Sequence, residues 1–183
     1  MLIGIQGGLG DGKTIMLTRY LLHDFNKGHK ILCNYQLFNI EYENLIVENL
    51  LKNEQDGIHL KNVTIGIDEL TVYADCRLSM SKANLLFGYL VLQSRKRSVD
   101  IYYTTQDFRM IDKRVLHHTH IQIIAESLYD KNGQIIEGHK KYSIVDARNV
   151  TRMTINRFVL DIRPYYDYYD TDEIITPPIL KKE

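Results

Sequence analysis

The chain carries no net charge, because 23 Lys and Arg residues balance 23 Asp and Glu residues. A neutral protein has no global field to gather a polyanion. Contact with nucleic acid would need a local patch, or an oligomer that concentrates one. Cysteine is scarce: Cys33 and Cys76 stand far apart, in no metal-ligand spacing, which suits a reducing compartment. No apolar run reaches the roughly 18 residues of a membrane span. No signal peptide is expected either, since a glycine-rich motif already begins at residue 7. What remains is ordinary for a globular protein, with 183 residues, 44% hydrophobic and 25% charged. The expectation is a soluble intracellular chain with one domain over residues 1–175 and an extended tail at 176–183, where Thr176-Pro177-Pro178 leads to Lys181-Lys182-Glu183.

The most informative stretch is Gly7-Gly8-Leu9-Gly10-Asp11-Gly12-Lys13-Thr14, which fits G-x-x-x-x-G-K-[ST] without a mismatch. Glycines let the backbone turn tightly, so that successive N–H groups form an anion nest. The helix behind them adds the positive end of its dipole. Lys13 can reach the β- and γ-phosphates of ATP, and the Thr14 hydroxyl can take a Mg²⁺ coordination site. Context agrees. Residues 1–6 read as a short buried strand, and 14–25 as a helix with Ile15, Leu17, Leu21, Leu22 and Phe25 turned to a core. An accidental match in a chain of this length is roughly a one-per-cent event at average glycine usage.

Further along, Asn26-Lys27-Gly28 stops the helix, 30–35 reads as a strand and 43–55 as an amphipathic helix. Val63 to Ile67 is an apolar, β-branched run ending in Asp68-Glu69. Carboxylates at that end of a parallel strand face the ligand edge of the sheet. Asp68 is placed to hold Mg²⁺, and Glu69 to accept a proton from attacking water. Residues 71–82 read as irregular and 83–97 as a helix closing on Arg95-Lys96-Arg97. A strand over 99–105 ends at Gln106, whose amide can orient water beside the γ-phosphate. A short helix is expected at 111–116 and a strand at 121–125. An Asn132-Gly133 turn follows, with appended antiparallel strands at 142–145 and 151–162. The fold class is α/β: a P-loop NTPase with a mainly parallel central sheet and C-terminal antiparallel strands.

Four pieces in this order carry a family resemblance: the Gly7–Thr14 loop, the strand ending Asp68-Glu69, the basic helix end Ser94-Arg95-Lys96-Arg97, and the strand ending Thr104-Thr105-Gln106. Together they resemble the FtsK–HerA superfamily of DNA-pumping ATPases. More narrowly they resemble small viral genome-packaging ATPases and Zot-like morphogenesis proteins. The resemblance implies a three-layer sandwich of the RecA or FtsK–HerA type and a homo-oligomer, a hexameric ring, with ATP and Mg²⁺ at subunit interfaces and a viral DNA genome, double-stranded in the packaging case, as the translocated partner. It also implies an arginine finger reaching a neighbour's phosphates. Arg95 matches the expected position, with Arg97, Arg109 and Arg114 as alternatives. The chain departs from Zot-like proteins in having no membrane span, which favours packaging in the host cytoplasm, with a capsid or membrane-vertex protein as docking partner. Zot-like assembly with extrusion of single-stranded DNA stays as an alternative, and so does a small-molecule P-loop kinase.

Smaller signals remain. His117-His118-Thr119-His120 lacks a second ligand cluster for zinc. Tyr165, Tyr166, Tyr168 and Tyr169 either stack on bases, including the adenine of ATP, or pack a terminal segment over the sheet. Arg77, Lys82, Lys140 and Lys141 are candidates to line a pore.

Overall fold

The structure, a computed structural model, describes residues 1–46, 60–78, 87, 88, 91, 92, 94, 98–148 and 155–170. Its elements in chain order are β1 (Leu2–Gln6), α1 (Lys13–Phe25), β2 (Lys30–Cys33), β3 (Glu43–Asn44), β4 (Val63–Ile67), α2 (Thr71–Ala74), β5 (Val99–Thr105), α3 (Lys113–His118), β6 (Ile121–Tyr129), β7 (Ile135–Asp146) and β8 (Ile155–Asp161). Short 3-10 turns occupy Cys76–Leu78, Phe108–Met110 and Arg163–Tyr168. The strands form one eight-stranded sheet ordered β3-β2-β4-β5-β1-β6-β7-β8. The neighbours from β3 to β6 run parallel, and β6, β7 and β8 pair antiparallel.

The central strands are apolar on both faces because both faces are covered. On one side α1 sets Ile15, Met16, Leu17 and Leu21 against Ile3, Ile5, Ile31, Tyr102 and Ile123. On the other, Leu2, Ile65, Ile67, Ile101 and Tyr103 pack with Phe87, Val91, Ile111 and Val115. Gly66 lets α1 approach the sheet closely, since a Cβ there would lie 2.6 Å from Leu21 Cδ1. The register aligns Gln6 with Thr105 and Ile67 with Tyr103, so β1, β4 and β5 finish at one edge. That edge is where ligands bind in such sheets.

At the far end of α1 the carboxylate of Asp24 is buried. It accepts hydrogen bonds from the Tyr102 hydroxyl (2.6 Å) and the Thr64 hydroxyl (3.0 Å), and His23 Nδ1 lies at 3.2 Å. Burial works to raise its pKa, but these bonds outweigh burial and hold the group below the ordinary carboxylate range. Asp24 therefore stabilises the fold above about pH 4, the unfolded value, and loses that contribution as pH falls through its lower folded value. Asp24→Asn is expected to be less stable than the wild type in urea melts at pH 7, with the gap closing below about pH 4.

Several expectations need correction. The helix expected at 43–55 begins as β3: Leu32 aligns with Glu43, Leu45 N donates to Cys33 O at 2.7 Å, and Lys30 pairs with Glu43 at 2.6 Å. Extending the sheet satisfies backbone groups on the open edge of β2, and this overrides the weak helical spacing. Residues 47–55 of that expectation lie outside the described residues. The stretch expected to be irregular from Thr71 contains α2, because Leu70, Tyr73 and Ala74 bury themselves against the sheet. The helix expected at 111–116 starts at Lys113, behind Asp112, whose side chain caps it by accepting from Arg114 N at 2.9 Å. Strands β6 and β7 run further than expected, as a hairpin around Asp130, which accepts from Asn132 N and Gln134 N at 2.8 Å each. Helical backbone at residues 87, 88, 91, 92 and 94 agrees with the helix read at 83–97. Arg95 and Arg97, Lys82 and the tail at 176–183 lie outside the described residues.

Candidate active site

The phosphate loop links the end of β1 to the start of α1. Its turn depends on left-handed backbone at Gly10 (φ 74°) and Gly12 (φ 87°). Gly12 has a second constraint, since a Cβ there would sit 2.8 Å from the Tyr142 hydroxyl. Lys13 is buried, and its Nζ folds back to donate to Gly8 O at 2.9 Å. Leu9 is fully out in solvent, at 85% exposure, so it presents only backbone to a ligand.

Asp11 puts a negative charge inside a loop read as anion-binding, and the fold turns that charge aside. Its carboxylate accepts from Gly8 N (2.8 Å), Ser127 N (3.0 Å) and the Ser127 hydroxyl (2.8 Å). Burial alone would raise its pKa, but the Ser127 and Gly8 bonds prevail and hold it below the ordinary carboxylate value. Lys140 of β7 then donates to Gly10 O at 2.6 Å and to Ser127 Oγ at 3.0 Å, and Tyr142 donates to Gly12 O at 2.9 Å. The antiparallel hairpin thus braces the loop from outside. Lys141 and Arg77 are likewise engaged, with Glu126 (2.9 Å) and Asp75 (2.6 Å). Lys140→Met is expected to weaken nucleotide binding about fivefold, as for the loss of about 1 kcal/mol in a hydrogen bond. Titration of the variant with a fluorescent nucleotide checks it.

Across from the loop, Thr14 Oγ1 donates to both carboxylate oxygens of Asp68 at 3.1 Å. The Thr104 hydroxyl donates to Asp68 Oδ1 at 2.6 Å and accepts from Glu69 N at 2.8 Å. Asn34 grips the Asp68 backbone from the other side, accepting from its N–H at 2.7 Å and donating to its carbonyl at 2.9 Å. Burial pushes the Asp68 carboxyl up, against the Thr104 and Thr14 bonds, and the charge of Glu69 adds to the rise. Such a carboxylate gains from a cation. Thr14 and Asp68 fit Mg²⁺ on two counts: both offer hard oxygens, and their 3.1 Å separation matches two ligands at right angles around an ion with bonds of about 2.1 Å.

Glu69 follows in left-handed backbone (φ 53°), uncommon for a residue with a side chain. Its carboxylate accepts from the Thr71 hydroxyl at 2.8 Å. Gln106 is exposed just beyond β5. The remaining finger candidates are held locally: Arg109 pairs with Asp107 at 2.6 Å and Arg114 with Asp112 at 2.7 Å. The same Asp-x-Arg pairing recurs at Asp75–Arg77, Asp146–Arg148 and Asp161–Arg163. Where both side chains are open to solvent, as at Asp107–Arg109, Asp146–Arg148 and Asp161–Arg163, such a pair contributes little to stability and a stronger anion can claim the arginine, whereas the carboxylate of Asp112 is buried. The structure therefore brings Gly7–Thr14, Asp68 and Glu69 to one edge, together with Asn34, Thr104, Ser127 and Lys140, which sequence reasoning missed as site residues.

No protein-family profile matches the chain, and neither does any curated protein. Solved structures do. The N-terminal domain of zonular occludens toxin from Neisseria meningitidis superposes with a TM-score of 0.64 and 16% identity, over 92% of this chain and 98% of that one. The genome packaging NTPase B204 from Sulfolobus turreted icosahedral virus 2, in complex with ATP-gammaS, gives 0.60 and 10% identity, over 85% of this chain and 95% of that one. Its AMPPCP complex gives 0.59 and 11% over the same shares. The chain has the P-loop NTPase fold, in the form taken by the Zot N-terminal domain and the viral packaging NTPase, which is the fold its resemblance to the FtsK–HerA superfamily implies.

Proposed function

We propose that the chain is an ATP hydrolase that works as an oligomeric motor on DNA, packaging a viral genome in the host cytoplasm. One observation carries the hydrolase reading: the Thr14 hydroxyl and the Asp68 carboxylate meet at 3.1 Å, with Glu69 the next residue. A loop that only bound phosphate would need no buried carboxylate against its threonine, nor a second acid beside it.

In this reading the N–H groups of Gly7–Thr14 hold the β- and γ-phosphates. Lys13 exchanges the Gly8 carbonyl for phosphate oxygens. Thr14 and Asp68 hold Mg²⁺, which, when bound, offsets charge developing on the phosphates. Glu69 accepts a proton from the attacking water and Gln106 orients that water. Arg95 of a neighbouring protomer completes the site, and the assembly is a ring, in number a hexamer. Support for DNA as the moved partner lies in the fold shared with a protein described as a genome-packaging NTPase. Membrane-associated assembly in the Zot manner is the second reading, favoured by the higher TM-score of 0.64 to that domain. Among the described residues no helix is long and apolar enough to cross a membrane.

Lys13→Ala tests the nucleotide site. Losing a hydrogen bond to a charged group costs about 1.5–3 kcal/mol, so ATP affinity should fall at least about tenfold, with hydrolysis lost in parallel. Unchanged affinity in equilibrium titration would remove the loop from the site.

A further inference from the structure

Two segments far apart in sequence meet beside the candidate phosphate site. The first leaves β2 at Asn34, whose side chain grips the backbone of Asp68. Three residues on, Leu37 forms a β-bridge with Tyr169, Phe38 N donates to Tyr168 O at 2.9 Å, and Asn39 donates to Asp167 O at 3.0 Å. Three residues span at most about 11 Å, so this junction lies close to Asp68. The second segment is the tyrosine-rich turn Arg163–Tyr168 with Tyr169. Tyr165 and Tyr169 pack in the cluster that holds Ile15 and Met16 of α1, and with Tyr142, whose hydroxyl bonds Gly12 O. This turn therefore packs against the helix that opens under the phosphates, and Tyr142 links the same cluster to Gly12.

Between the segments lies a cleft of about 540 Å³ lined by Phe38, Tyr166, Tyr169 and Asp170. That is within the size range of small-ligand sites, about 300–1,000 Å³. Tyr169 is fixed at the floor, 7% exposed, whereas Phe38 and Tyr166 are 38% and 47% exposed. The backbone around these two rings is tied down by the bonds just given. Two apolar rings held out of the core, on a rigid frame beside a phosphate loop, are complementary to a flat heteroaromatic group.

We infer that the Phe38–Tyr166 cleft is the nucleobase subsite, in which the base of the bound nucleotide stacks while its phosphates rest on Gly7–Thr14. This rests on the nucleotide-binding reading above. A stacking platform is tolerant of base identity, since every base has a π-face, so the cleft contributes affinity more than choice among bases.

The test compares ATP with inorganic tripolyphosphate, both with Mg²⁺, in equilibrium titrations of the full chain. Losing one stacked base lowers affinity about fivefold to about a hundredfold. Phe38→Ala with Tyr166→Ala should show that loss for ATP and leave tripolyphosphate within about twofold. Tyr166→Leu, which keeps apolar bulk and removes the ring, should lose ATP affinity in the same selective way, while Tyr166→Phe keeps it. Equal loss for both ligands would make the two rings supports of the phosphate loop and not a seat for the base, and unchanged ATP affinity would mean an unused cleft; either overturns the inference, while binding of both ligands by the wild type keeps the phosphate-loop reading. Wild-type protein that binds neither ligand would overturn the nucleotide reading itself, and this one with it.

Discussion

Glu69→Gln is expected to bind ATP as the wild type does and to hydrolyse it about 10²–10⁴-fold more slowly, the range for removing a positioned general base. The amide keeps the shape of the side chain and an oxygen to accept from Thr71, so the local structure should survive. It cannot take a proton from water. The backbone supports a functional role as well. Left-handed conformation at a non-glycine residue costs on the order of 1–3 kcal/mol and persists only where its surroundings impose it. Here Thr104 imposes it, receiving Glu69 N and reaching Asp68 with the same hydroxyl. Single-turnover hydrolysis alongside ATP titration separates the two effects. Equal losses in binding and rate would assign Glu69 to structure instead.

Arg95→Ala should cost more, about 10³–10⁵ in rate, if it acts as an arginine finger. Arg95 stands shortly before β5 in the sequence, where the family resemblance implies a finger, whereas Arg109 and Arg114 would each have to leave an aspartate partner. A finger supplied by a neighbour has a distinctive consequence. Mixing Arg95→Ala with Glu69→Gln, each nearly inactive alone, creates interfaces that hold one intact Glu69 and one intact Arg95. Hydrolysis should return to a sizeable fraction of wild type. No recovery on mixing would place the arginine in its own protomer's site or outside catalysis.

The parts of the site written in contiguous residues were legible in the sequence. The glycine spacing of Gly7–Thr14 dictates the loop, and a β-branched run that stops at Asp68-Glu69 dictates where those carboxylates sit. The bracing contacts were not legible, because they join residues far apart. Lys140 reaches Gly10 across 130 positions and Ser127 reaches Asp11 across 116. Strand periodicity tells which face of β7 carries Lys140; it is silent on which loop abuts that face. The Asp-x-Arg pairs show the opposite case. Their spacing is written in the sequence, and each aspartate both receives the arginine's N–H and neutralises its guanidinium, as at Asp107 with Arg109. Scattered surface charge hid the pattern. At β3 the sequence misled, since apolar spacing after Glu43 suggested a helix where the open edge of β2 recruits a strand.

Coupling of hydrolysis to assembly and to DNA is the central claim. It is measured by the rate of ATP hydrolysis per protomer across protein concentrations, with and without duplex DNA. A shared site on a DNA motor predicts a specific rate that climbs with protein concentration and climbs further when DNA is added. A rate per protomer that stays constant on dilution and is indifferent to DNA would contradict it.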